Sequence, residues 1–110
     1  MSKHEEMAPA LEALKILNHP VRLSILCNLI EKGEMSAGEI VEQEKTMASQ
    51  SQVSQYLGWL REKKYVQSRK DGQYVYYKIA SDEVQAMVEF LHKMFCAKNN
   101  RSICSASIGT

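Results

Sequence analysis

Few architectures accommodate the stretch from Ser49 to Tyr77. It opens Ser-Gln-Ser-Gln-Val-Ser-Gln-Tyr-Leu-Gly-Trp-Leu, in which Val53, Tyr56, Leu57 and Leu60 recur at helical spacing. Ser51, Gln52, Ser54, Gln55 and Gly58 occupy the other faces. The helix is therefore apolar on one side and uncharged but polar on the other. Two strand-like runs follow at once, Val66–Lys70 and Gln73–Ile79. They are joined through Asp71-Gly72, a strong hairpin turn signal. A polar-faced helix must thus pack directly beside a short basic hairpin.

The segments around it read as further helices. Leu11, Leu14 and Leu17 have a helical period, predicting a helix over Ala8 to Leu17. Pro20 suits the first turn of a second helix, which carries Leu23, Leu26, Cys27 and Ile30 on one face. Gly33 is a good C-terminal cap for it. Ser36-Ala37-Gly38-Glu39 reads as a capping box opening a short third helix through Ile40 and Val41. Thr46 to Gln50 is a turn into the fourth. Ser81 caps a last helix, with Asp82 and Glu83 in its first turn and a stripe of Val84, Met87, Val88, Leu91 and Phe95. Residues 1–98 are expected to form one domain and residues 99–110 a flexible tail.

Charge is uneven along the chain. Residues 1–48 carry five lysines and arginines against eight acids, net −3. Residues 49–78 carry six (Arg61, Lys63, Lys64, Arg69, Lys70 and Lys78) against Glu62 and Asp71, net +4. The remainder balances. A positive segment that coincides with a polar helix and a hairpin is what a phosphate-binding surface requires; on charge alone a solvated basic face fits equally well. No apolar run approaches the roughly 18 residues of a membrane span, and Met-Ser-Lys-His-Glu-Glu lacks the apolar stretch of a signal peptide. A cytoplasmic location is expected. Three scattered cysteines are too few for a disulfide scaffold and are expected as thiols.

The order helix, helix, helix, helix, two-stranded wing, helix predicts a mainly α fold with a small β-hairpin, a winged helix-turn-helix. Its first and last helices have wider apolar faces than the short central elements can cover, so a homodimer through those two helices is expected. Two recognition helices would then lie about one DNA turn apart on a palindromic operator in double-stranded DNA. Expected DNA contacts are Ser49, Gln50, Ser51, Gln52, Ser54 and Gln55 on the fourth helix, with Arg61, Arg69, Lys70 and Gln73 from its end and the wing. Tyr74, Tyr76 and Tyr77 are expected to pack on the sheet.

Cys27 lies on the apolar stripe of the second helix, where a cysteine is usually a small core residue. Cys96 lies one helical turn after His92, near the end of the last helix, and Cys104 falls in the tail. His92-x3-Cys96-x7-Cys104 supplies nitrogen and sulfur donors for a metal such as zinc, although the spacing matches no closed site. No cofactor is expected. His4, His19 and His92 have no nucleophile or acid at a recognisable spacing, and no Gly-rich phosphate loop or HExxH motif is present, which argues against an enzyme.

Taken together, Leu17-Asn18-His19-Pro20-Val21-Arg22-Leu23-Ser24-Ile25-Leu26, the box Ser36–Glu39, Ser51-Gln52-Val53-Ser54-Gln55-Tyr56-Leu57 and the wing Arg69–Tyr77 resemble the ArsR family of bacterial repressors. The resemblance spans roughly residues 8–96 and implies a homodimer whose grip on DNA changes with an inducer. The chain departs from the metal-sensing members. Gly38-Glu39-Ile40-Val41 holds no Cys-x-Cys, and Asp82 is followed by Val84 rather than a histidine, with Phe95 and Lys98 at the later ligand positions. One cysteine in the second helix and one at the end of the last is similar instead to the dithiol-sensing subgroup. That resemblance implies that Cys27 and Cys96 form a redox-sensing pair reacting with persulfides or oxidants. A metal-responsive repressor and an anti-repressor that displaces a nucleoid protein remain as alternatives. Tyr56 stands where many relatives have histidine.

Overall fold

The computed structural model describes residues 3–95. Cys96, Cys104 and the expected tail lie outside them. Helix α1 spans Lys3–Leu17, α2 Pro20–Lys32, α3 Ala37–Glu44, α4 Gln50–Glu62 and α5 Asp82–Phe95. Strands β1 (Met35–Ser36), β2 (Val66–Asp71) and β3 (Tyr74–Ile79) form one antiparallel sheet in the order β1-β3-β2.

Local chemistry sets most of these boundaries. At the start of α2 the His19 side chain accepts from the Arg22 N–H, and Pro20 occupies a first-turn position where its missing donor costs nothing. Gly33, at φ 82°, ends α2 and returns its N–H to the Leu29 carbonyl at 2.7 Å. The capping box expected at Ser36 and Glu39 is present in both directions.

The wing closes as expected around Gly72, at φ 64°, the left-handed conformation that a two-residue hairpin loop demands and glycine supplies. Asp71 pairs with Tyr74 and Val66 with Ile79, so the loop itself is Gly72-Gln73, one residue later than expected.

Three expectations are corrected. Helix α1 begins at Lys3 rather than Ala8, so Pro9 lies inside it and cannot donate to the carbonyl four residues back. Met35 and Ser36 pair with Tyr77 and Tyr76, adding a third strand to the expected two. A two-residue strand leaves no alternation to read, and its apolar member, Met35, is only 1% exposed. Tyr74 is 54% exposed at the hairpin tip instead of packing on the sheet.

Ile16, Ile25, Leu26, Leu29, Met35, Ile40, Val53, Leu60, Val66, Val84 and Val88 fuse into one core drawn from every element but β3, whose Tyr77 and Ile79 pack against it half-buried. Burying a side chain such as Leu26 or Leu60 completely stabilises by about 1.5–3 kcal/mol relative to exposure. That core seats α4 with Val53, Leu57 and Leu60 inward and its opposite face outward.

Candidate nucleic-acid interface and thiol site

Gln50, Ser51, Gln52, Ser54 and Gln55 all lie exposed on α4. Ser49 and Gln52 have a further job that the sequence reading missed. The Ser49 hydroxyl accepts from the Gln52 N–H at 3.1 Å, and the Gln52 side chain accepts from the Ser49 N–H at 2.9 Å. This second capping box fixes the helix start and leaves Gln50, Ser51, Ser54 and Gln55 as the unengaged polar face.

Tyr56, expected on the inward stripe, packs half-buried against the core. Its hydroxyl bonds His19 Nε2 at 3.2 Å, and the two rings meet edge to face. Arg22 lies over Trp59 at 4.8 Å and over Tyr56 at 5.9 Å. Histidine and arginine from the first turn of α2 thereby hold one flank of α4. Burial, then the nearby Arg22 charge, moves the His19 pKa below its ordinary value. Lys63, beyond α4, pairs with Glu12 of α1 at 2.7 Å. That hydrogen bond lowers the Glu12 pKa and raises that of Lys63.

On the wing side, Arg61 donates to Ser68 at 3.4 Å. Lys70 and Gln73 are exposed, and Lys70 has no acidic partner within salt-bridge distance among the described residues. Arg69 is engaged. Its Nε and Nη2 donate to the two carboxylate oxygens of Glu34 at 2.9 and 2.8 Å, and its guanidinium lies 4.5 Å from the Tyr76 ring centre. The hydrogen bond from Arg69 holds the Glu34 carboxyl below its usual range.

Cys27 is 1% exposed on α2, within the core that α5 closes through Val84 and Val88. Beside it on α2, Ser24 one turn earlier and Asn28 the next residue reach α3. The Ser24 hydroxyl donates to Glu44 Oε2 at 2.6 Å, and Asn28 Nδ2 approaches the same oxygen at 3.4 Å. Glu44 is itself 1% exposed, and burial raises its pKa against the lowering effect of those two hydrogen bonds. Nothing in the chain's periodicity marked this acid as interior. His92, on α5, faces Glu31 of α2 at 3.8 Å. Among the described residues no group of three or more histidines, cysteines or acids is placed to hold a metal ion. No helix among them is long and apolar enough to cross a membrane.

A short capped helix, a turn, an outward polar helix and a flanking hairpin define a winged helix-turn-helix DNA-binding protein. Residues 19–68 match the family described as bacterial regulatory protein, arsR family. The transcriptional activator HlyU of Vibrio cholerae is 42% identical over 92 residues, covering 84% of this chain and 82% of that protein. The biofilm growth-associated repressor of Xylella fastidiosa is 37% identical over 89 residues, covering 81% and 75%. The solved structure of reduced HlyU from Vibrio cholerae superimposes with a TM-score of 0.76 at 41% identity, over 84% of this chain and 95% of that one. The chain belongs to the ArsR family of transcriptional regulators; it is not an enzyme.

Proposed function

We propose that this regulator binds a palindromic operator as a homodimer and that a Cys27/Cys96 thiol pair switches its affinity. The observation that carries the DNA reading is the outward Gln/Ser face of α4 beside the basic wing. Gln50, Ser51, Ser54 and Gln55 read base edges in the major groove. Ser49 and Gln52 present the helix start to a phosphate, and Arg61, Lys70 and Gln73 flank it.

The dimer reading is supported by exposed apolar side chains on two adjacent helices. Met7, Leu11 and Leu14 on α1 are 52%, 47% and 52% exposed, and Phe90 and Met94 on α5 are 61% and 42% exposed. Ala13, Ile16, Leu17, Val84 and Met87 line a narrow cleft where α1 and α5 meet.

The switch is supported by the place of Cys27 in a buried core to which α5 contributes Val84 and Val88, because Cys96 directly follows the last residue of that helix in sequence. It is also supported by a relative whose solved structure is described as its reduced form. One thiolate takes the outer sulfur of a persulfide and releases the donor's thiolate. The second cysteine then displaces hydrosulfide from the first, closing a disulfide; with peroxide the intermediate is a sulfenic acid and water leaves. Tying α2 to α5 strains the dimer and shifts the spacing of the two α4 helices.

Similar proteins named as activator and as repressor fit either sign of regulation; repression is the simpler outcome of operator occupancy. Mass spectrometry of the digested protein after treatment with a persulfide donor tests the pair. A peptide linking Cys27 to Cys96, lost on reduction, is expected. Two unlinked cysteines under all donor concentrations would sink it.

A further inference from the structure

Among the described residues, Arg69 is the one wing cation with a forked acidic partner, and that partner lies outside the wing. Glu34 immediately precedes β1, at the junction where α2 has ended at Gly33. In the sheet, Arg69 sits opposite Tyr76, and Tyr76 sits opposite Ser36. The guanidinium crosses the central strand over the Tyr76 ring and grips Glu34 through both oxygens. It thus reaches toward β1, while the hairpin tip lies at Gly72. Asp71, at 3.7 Å, is a second acid beside it. A guanidinium held by a bidentate carboxylate and stacked on a ring has its charge and its geometry already committed.

We propose that Arg69 is a positioning residue and not a phosphate contact. With Glu34 it sets the angle of the wing against the α2–β1 junction, so that Lys70 and Gln73 at the tip meet DNA at a fixed distance from α4. The proposal rests on α4 and the wing forming the DNA interface.

Salt dependence separates positioning from phosphate contact. Each phosphate neutralised adds about 0.9 to the slope of log affinity against log salt. The probe is a labelled duplex selected from random sequence by the wild-type protein. Expected results are that Arg69→Gln and Glu34→Gln each weaken binding roughly two- to fivefold, the scale of an exposed forked pair, and leave the salt slope unchanged. The double variant is no weaker than either single one, and the charge-swapped pair Glu34→Arg with Arg69→Glu recovers most of the affinity.

A phosphate contact gives the opposite signs. Glu34→Gln would then tighten binding by freeing the guanidinium, Arg69→Gln would lower the slope by about 0.9, and the swapped pair would bind worst. That pattern, or no effect of either single variant, overturns the proposal. Gln55→Ala and Lys70→Gln report separately on the interface. If both leave binding intact, the DNA-facing assignment fails and this one falls with it. If both weaken binding while Glu34→Gln tightens it, only the positioning role fails.

Discussion

The pKa values of Glu44 and His19 are shifted in opposite senses, and each side chain bonds across to a neighbouring helix, Glu44 to α2 and His19 to α4. Burial raises the Glu44 pKa above its ordinary 4.5, so the folded state holds that proton more tightly than the unfolded chain does. Its stabilising contribution is complete below about pH 4.5 and is lost as pH rises through the raised value. His19 behaves in reverse. Its neutral ring accepts from the Arg22 N–H at Nδ1 and donates from Nε2 to Tyr56. Its pKa lies below 6.5, so its contribution is present above that pH and is lost as pH falls through the lowered value. Denaturant unfolding across pH should therefore show Glu44→Gln removing a decline on the rising side. His19→Asn, which keeps a capping acceptor, should remove a decline on the acidic side. A Glu44→Gln profile parallel to wild type would contradict the buried-acid assignment. Neither role was legible in the sequence. A glutamate at the end of a short amphipathic helix reads as solvated, and only the approach of Ser24 and Asn28 from twenty and sixteen residues away buries it.

Elements were legible where turn or cap chemistry is local. Asp71-Gly72 located the wing to within one residue, and Ser36 with Glu39 located the start of α3. The end of α4 carried no such mark. There the Tyr65 N–H reaches the Leu60 carbonyl and the Lys64 N–H reaches that of Arg61, a Schellman cap whose left-handed position is filled by Lys64 at φ 65°. Glycine is the usual occupant, because an L side chain there costs about 1–2 kcal/mol. Lys64→Gly is expected to raise stability by about 0.5–1 kcal/mol, after the greater backbone entropy that glycine loses. Chemical denaturation measures it, and a destabilised variant would show that the lysine side chain contributes more than its backbone strain costs. The polar face of α4 was read correctly as outward, yet the engagement of Ser49 with Gln52 went unseen. The same serine and glutamine composition serves both a cap and an exposed polar face.

At the scale of the whole molecule, what the sequence reveals is a surplus of apolar helix face and a cysteine in the second helix with another just past the last. Met7, Leu11, Leu14, Phe90 and Met94 remain exposed after the fold is complete. Substituting Leu14 with glutamate should leave helical content intact while shifting the protein to monomer in sedimentation and abolishing operator binding; a dimer that persists would move the interface elsewhere. Cys27 is buried in the core, so a donor in solution has no direct path to its thiol. It reacts only if α5 yields to give access or if its partner cysteine delivers the sulfur. Fluorescence anisotropy on the selected operator, comparing fully reduced protein with the same protein after a persulfide donor, addresses this directly. A large loss of affinity that reductant reverses, and that vanishes in Cys27→Ser and in Cys96→Ser, is the expected result. Equal affinity in the reduced and treated states would make Cys27 a core residue and nothing more.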